Sequence, residues 1–324
     1  MSSEKTNFYV GVDLGGTKIL AGVFDASLQL LGKMKLSTKG ERGVKEVIQR
    51  IVRCAREAVD ESDLKLAQIQ AVGIGAPGAV DAKSGKVIFA PNLKWEDVPL
   101  QKELEKQLER PVFVENDCNV CALGVYEMEL DCKPDSMVGI FIGTGVGGGL
   151  IFDRNLYSGF NLTAGEIGHM VIDMNGPKTT WGPRGTFESL ASRTAIFNRI
   201  KESVKAGKKT ALTEMLGDEL DDLRSGDLRK AIKRGDKLVE EIVMDAAHCT
   251  GIAVGNVINL LNPQVVMLGG GVMEALGKVM IDSIRKTAFE HTLPGTTKGI
   301  EILVSKLGDL AGITGAGVLA RRNS

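Results

Sequence analysis

Two rhythms of apolar residues organise this chain. Short β-branched and aromatic runs stop abruptly at glycines, and longer stretches repeat their apolar positions every three or four residues. Phe8 to Val12 is one such run and ends at "DLGGTK"; "ILAGVFD" follows, so the start reads strand, tight glycine turn, strand. "MVGIFIGTGVGGGLIFD" repeats this arrangement mid-chain. Val44, Val47, Ile48, Ile51, Val52, Ala55 and Val59 fall on one face of a helix. "AVGIGAPGAV" reads as a buried strand ending in Gly-Pro-Gly, and "PVFVEND" as a short strand whose end carries Asn116 and Asp117. Between them Pro99 opens the helix "PLQKELEKQLER", where its missing N–H is tolerated. Further on, 236–261 reads as a long helix that ends before Pro263, "VVMLGGGV" as a strand feeding a glycine-rich helix start, and about 312–321 as a closing helix.

Residues 10–25 align without gaps on 138–153 at a constant offset of 128. Val10/Val138, Gly11/Gly139, Gly15/Gly143, Phe24/Phe152 and Asp25/Asp153 are identical, and most apolar positions between them match. The same strand, glycine loop and strand in one register in both halves points to a duplicated domain. Strands alternating with helices predict α/β layers with helices on mixed sheets, and two such halves predict a cleft for a ligand.

Bulk properties remove several function classes. A length of 324 residues suggests two domains, and 43% hydrophobic with 25% charged residues fits a soluble globular protein. The net charge of −1 offers no electrostatic footprint for nucleic acid or an anionic membrane. "MSSEKTNF" lacks the apolar segment of a signal peptide, and the most apolar long window, 251–272, holds polar residues and Pro263, so no membrane span is expected. Five scattered cysteines predict reduced thiols and a cytoplasmic protein. Cys118 and Cys121 have CxxC spacing, yet no second pair lies nearby and the spacing fits one helix face, so packing is expected rather than redox chemistry.

The 40 glycines concentrate the chemistry. "GVDLGGTK" lacks the Gly-Lys-Ser/Thr of a Walker A loop. "GTGVGG" (143–148) matches G-x-G-x-x-G, but a strand follows where a dinucleotide site needs a helix. Plain hairpin turns are the alternative. The residues at the two tips weigh against it: Asp13, Thr17 and Lys18 supply a carboxylate, a hydroxyl and a cation at one, and Gly143, Thr144 and Gly145 supply open backbone N–H groups at the other. Two donor-rich turns suit a polyphosphate chain. Asp13 would repel bare phosphate and fits with Mg²⁺ between, through water.

"VGVDLGGTK", "FIGTGVGGG" and "NPQVVMLGGGV", in this order, resemble the two phosphate loops and the adenosine-side segment of the actin–hexokinase ATPase superfamily. With "GAPG", "NLKW", "VENDCN" and "GEIGH", the chain resembles the sugar kinases of the repressor, open reading frame and kinase family, bacterial glucokinases above all. Each motif is weak alone; seven in order across nearly the whole chain are specific. The resemblance implies duplicated ribonuclease H-like domains of the actin/hexokinase type, with mixed sheets flanked by helices and an interdomain cleft. It implies a smaller N-terminal domain of residues 1–117 plus the C-terminal helix 309–324, and a larger domain of 118–308. ATP with Mg²⁺ would be gripped by Asp13, Gly15, Gly16, Thr17, Lys18, Gly143, Thr144 and Gly145, with Gly269, Gly270 and Gly271 packed against the nucleotide. Asp117 would be the base that accepts the proton of the attacking sugar hydroxyl. Asn116 and Asn92 would bind sugar hydroxyls, and Gly75 and Gly78 would let the backbone approach the ring.

Glucose is the expected hexose and a homodimer or tetramer the expected assembly. N-acetylmannosamine, N-acetylglucosamine and other hexoses stay open as substrates, and polyphosphate as donor. Repressors of this family carry an N-terminal helix-turn-helix. Here the first strand begins within about eight residues of Met1, so a kinase rather than a DNA-binding regulator is expected.

His169 stands near two glutamates, Glu166 and Glu188, which invites a metal-site reading. Relatives usually carry Cys-x-Cys-Gly-x-x-Gly-Cys-x-Glu after this histidine, and the histidine and three cysteines bind a structural zinc. The matching segment here is "TTWGPRGTFE", with Thr179, Trp181 and Thr186 at the cysteine positions. Neither Thr nor Trp is a zinc ligand, so no zinc is expected. Glu166, His169 and Glu188 are instead expected to hold the sugar through paired hydroxyls. Trp181 would take the place of the metal as a packing anchor, with Pro183 stiffening the turn.

Overall fold

A computed structural model describes residues 7–179 and 182–324. In chain order the elements are β1 (Phe8–Leu14), β2 (Lys18–Phe24), β3 (Leu30–Ser37), α1 (Val44–Asp60), β4 (Ile69–Ala76), β5 (Ala79–Asp81), β6 (Lys86–Ala90), β7 (Trp95–Val98), α2 (Leu100–Leu108), β8 (Val112–Asn116) and α3 (Asp117–Met128). There follow β9 (Ser136–Ile142), β10 (Val146–Phe152), β11 (Asn155–Leu156), α4 (Phe187–Ala191), α5 (Arg193–Lys205), α6 (Ala211–Leu216), α7 (Ser225–Lys233), α8 (Lys237–Leu261), β12 (Val265–Gly269), α9 (Gly270–Glu290), β13 (Glu301–Val304) and α10 (Ala311–Asn323). The chain divides into two compact units. Met1–Lys133, Gly149–Ala164 and Asp309–Ser324 form the first, and Pro134–Gly148 and Gly165–Gly308 the second.

One sheet runs β3-β2-β1-β4-β8, with β1, β2 and β3 as an antiparallel meander and β4 and β8 parallel to β1. The other runs β11-β10-β9-β12-β13, with β9, β12 and β13 parallel to one another. Adding 128 to the bounds of β1 and β2 gives those of β9 and β10, so the offset read from the sequence is the offset between two structural repeats. The mixed sheets flanked by helices are the fold that the resemblance implied.

Burial follows the apolar rhythm. The α1 face of Val47, Ile48, Ile51, Val52, Ala55 and Val59 is buried against the first sheet together with Val10, Val12, Ile19 and Ile74. Tyr9 to Val12 are buried without a break, as expected for a strand covered on both faces. The second cover is α10, and glycines bring it close. A Cβ at Gly11 of β1 would stand 1.9 Å from the Ile313 carbonyl oxygen, and one at Gly315 would stand 1.6 Å from the Val120 oxygen of α3. In the second unit, the Asp236 side chain caps α8 by accepting from the Val239 N–H at 3.1 Å, and Asn262 ends it in a left-handed conformation before Pro263. Among the described residues no helix is long and apolar enough to cross a membrane.

Candidate functional site

In the first unit, the β1–β2 turn is a tight loop held from within. The Gly15 N–H donates to the Lys18 carbonyl at 2.9 Å, and the Thr38 hydroxyl donates to the Gly15 carbonyl at 2.6 Å. Gly16 and Thr17 are exposed at its tip. Asn92, in the short helical turn Pro91–Leu93, stands beside this tip: a Cβ on Gly16 would lie 3.5 Å from the Asn92 Cβ. Lys18 Nζ pairs with Asp309 at 2.8 Å.

Asp13 faces α10, where the absent side chain of Gly312 leaves it room; a Cβ there would stand 2.8 Å from the Asp13 Cγ. Its carboxyl is pushed up to about 7, by burial first and then by the charge of Asp117, against the pull of Lys18. Such a concentration of half-sheltered negative charge fits a divalent cation, which would favour the ionised form.

The strand-to-helix corner at 115–119 is built by three consecutive polar residues. Glu115 is buried at the end of β8 and accepts from the Asn116 N–H at 2.8 Å and from Asn119 Nδ2 at 3.0 Å; burial raises its carboxyl above the usual range. Asn116 is the N-cap of α3, accepting from the N–H groups of Cys118 and Asn119, while its Nδ2 donates to the Gly78 carbonyl at 2.9 Å. Asp117 therefore opens the helix without being its cap, and its Oδ1 accepts from the Cys118 N–H at 2.8 Å. A charged carboxylate in the first turn also suits the helix dipole. Gly75 and Gly78 serve the chain itself at close quarters. A Cβ at Gly75 would meet Val120 at 2.5 Å, and Gly78 has a φ of 87° and lies against the Phe89 carbonyl. Cys121 is pushed well above the usual thiol range, by burial and then by Asp13 and Asp117, which suits packing and opposes redox use.

In the second unit, the β9–β10 turn is gripped from outside. Gly143 donates to the Gly145 carbonyl at 2.9 Å, and its own carbonyl accepts from the Arg193 N–H at 2.9 Å. The Arg193 guanidinium donates to the Thr144 hydroxyl, and the Thr194 hydroxyl to the Thr144 carbonyl at 2.7 Å. The Glu188 carboxylate accepts from the Val146 N–H at 2.8 Å. The β12–α9 turn lies against the same strand end. Gly270 has a φ of 84°, and a Cβ on it would fall 2.5 Å from the Ile142 oxygen, while Gly271 has open space around it.

The turn that carries Glu166 and His169 packs on this loop as well. Gly168 lies against Val146, so closely that a Cβ would come within 2.2 Å of its carbonyl oxygen. His169 and Glu166 are both about half exposed, with Nε2 and Oε2 3.7 Å apart. The Phe187 N–H donates to the Met170 carbonyl at 2.8 Å, which ties this turn to α4 and hence to Glu188. Glu166, His169, Glu188 and the 143–146 loop thus form one neighbourhood. Trp181, expected to anchor the cysteine-free segment, lies outside the described residues; on either side of it the Thr179 N–H donates to the Pro183 carbonyl at 2.9 Å. Among the described residues no group of three or more His, Cys, Asp or Glu could hold a metal ion.

Sequence reading alone missed Asp309, Glu115 and Arg193. Only tertiary contact puts the first and last beside a glycine loop. Glu115 carries a visible signal, a charged residue at the end of an apolar run, but alternation puts it on the strand face opposite Val112 and Val114, so its burial comes from the helix packed there.

The ROK family profile matches residues 9–323. A glucokinase from Thermotoga maritima is 34% identical over 312 residues, 95% of each chain. A xylose repressor from Caldicellulosiruptor bescii is 28% identical over 310 residues, which is 94% of this chain and 76% of the repressor. The crystal structure of a ROK family glucokinase from Streptomyces griseus, in complex with glucose and AMPPNP, superposes with a TM-score of 0.86 at 31% identity over 98% of this chain and all of that one. With a duplicated mixed-sheet fold, two glycine loops and a family match along nearly its whole length, this chain belongs to the ROK family.

Proposed function

We propose that this protein is an ATP-dependent hexose kinase that transfers the γ-phosphoryl group of ATP to a sugar hydroxyl, with glucose as the substrate. The observation that carries the reading is the placement of two carboxylates in one unit, Asp13 at the foot of the first glycine loop and Asp117 at the first turn of α3; burial first, and then the charge of Asp117, raises the Asp13 carboxyl. One carboxylate suits a hydrated Mg²⁺ and the other a sugar hydroxyl. Similarity to glucokinases, one of them crystallised with glucose and AMPPNP, supports the reading.

In this reading Lys18, the exposed Gly16 and Thr17, and the backbone of 143–145 bind the donor phosphates. Mg²⁺, when bound, neutralises charge on the transferred group. Asp117 orients the attacking hydroxyl and takes its proton as the new O–P bond forms and the bond to ADP breaks. A loose transition state asks for positioning more than for a strong base. Glu166, His169 and Glu188 hold the sugar ring.

A panel of hexoses and N-acetylhexosamines, each with ATP and with polyphosphate, tests this by coupled detection of ADP and sugar phosphate. Glucose with ATP is expected to give the highest kcat/KM. No sugar-dependent ATP turnover with any of them would overturn the kinase assignment, and a better acceptor or donor would replace glucose or ATP. Resemblance to repressors supplies the second arm: sugar binding without turnover would favour a sugar-responsive regulator.

A further inference from the structure

Val146 sits where two sides of the second-unit site meet. Its N–H donates to Glu188 Oε2 at 2.8 Å, and its carbonyl lies against Gly168, in the turn between Glu166 and His169. The segment from Glu188 to Thr194 holds the loop at Gly143, Thr144 and Val146. Gly145 completes the fit: a Cβ there would stand 2.3 Å from the same Glu188 oxygen, so the loop lies directly on the carboxylate.

We infer that Glu188 is a positioning residue for the donor-phosphate loop, and that through it an occupied sugar site tightens the binding of nucleotide. This rests on the kinase reading above. A carboxylate has two oxygens and several lone pairs. Oε2 is committed to the loop, which leaves Oε1 for a sugar hydroxyl. A hydroxyl bound there fixes the carboxylate, and the fixed carboxylate fixes the Val146 N–H and the loop behind it. The loop's backbone N–H groups then meet phosphate without first being ordered, which is positive coupling between two ligands. The order also makes chemical sense, because a donor loop set only when sugar is present disfavours transfer to water.

The test is the affinity for AMPPNP with Mg²⁺, measured by calorimetry with and without saturating glucose, in wild type, Glu188→Ala, Glu188→Gln and Gly145→Ala. Wild type is expected to bind the nucleotide about tenfold more tightly with glucose, the size of one hydrogen bond to a charged group. Gly145→Ala, which displaces the carboxylate from the loop but keeps it, should lose this gain, read at saturating glucose as the ratio of nucleotide affinities with and without sugar, in which a direct loss of either affinity cancels. Glu188→Ala should lose it too. Glu188→Gln should keep part of it, because the amide oxygen still accepts from the Val146 N–H. Gly145→Ala keeps the test decisive if Glu188→Ala fails to fold. Equal coupling in wild type and in Gly145→Ala would overturn the role of Glu188 and leave the kinase reading intact. A wild type that binds nucleotide but no sugar would overturn both.

Discussion

Asp13 stands two residues before the Gly15–Gly16 turn and Asp117 opens α3, so the two carboxylates have different surroundings. Asp117 is oriented by the corner that Glu115 and Asn116 build, with the N-cap duty falling to Asn116. Replacing Asp117 by Asn keeps the shape and removes the proton acceptor. Turnover is expected to fall by about 10²- to 10⁴-fold while glucose affinity stays within about threefold, which steady-state kinetics and calorimetry would check. Near-normal turnover would refute the assignment.

Asp13 makes a prediction about pH. Its carboxyl is pushed from an ordinary 3.8 up to about 7 in the fold. Between about pH 4 and pH 7 the folded protein therefore holds a proton that the unfolded chain has released, and this group's contribution to stability falls as pH rises through that window. In the absence of ligands, the urea midpoint of Asp13→Asn relative to wild type should climb from pH 4 to pH 7. A difference that does not vary with pH would contradict the shift.

At the scale of elements, the first sheet depends on α10, and α10 depends on glycine. The helix lies on β1 and beside α3 so closely that main chain meets main chain at Gly11 and Gly315. Backbone cannot yield as a flexible side-chain end can. Gly315→Ala should therefore cost about 1–3 kcal/mol or more, despite alanine's better helix propensity, as a lower urea midpoint with unchanged slope would report. An unchanged or raised midpoint would mean that the helix shifts freely. Legibility differed among elements for physical reasons. β1, β9, α1 and α8 bury long or regularly spaced apolar faces and stand out in the sequence. β3, an edge strand with alternating half-exposed residues, leaves a fainter trace. The small sheet β5-β6-β7 is short and interrupted by turns, and α4 is a five-residue helix with too few positions to show a period.

For the whole molecule, the same fold elements serve twice, with one offset relating β1–β2 to β9–β10. The two copies have diverged in chemistry. The first loop bears a carboxylate and a lysine, and the second bears backbone donors steadied by α4 and α5. The second unit also carries "TTWGPRGTFE" where relatives place zinc cysteines. Purified protein is expected to contain no stoichiometric zinc, and EDTA should leave the thermal midpoint unchanged while it abolishes phosphoryl transfer by removing Mg²⁺. One zinc per chain, or a midpoint lowered by chelation, would refute this.

By itself the sequence determined the alternation of strands and helices, the internal repeat, both glycine loops and the loss of the zinc thiols. These are properties of local periodicity and residue chemistry, which short stretches of chain already express. The tertiary structure decided who meets whom. It paired Lys18 with Asp309 across nearly the full length of the chain, pressed Gly312 against Asp13, tied the Asn116 amide to the Gly78 carbonyl, and turned Glu188 toward the Val146 N–H. Such contacts join residues distant in sequence. They depend on how sheets and helices stack, and no local pattern encodes that.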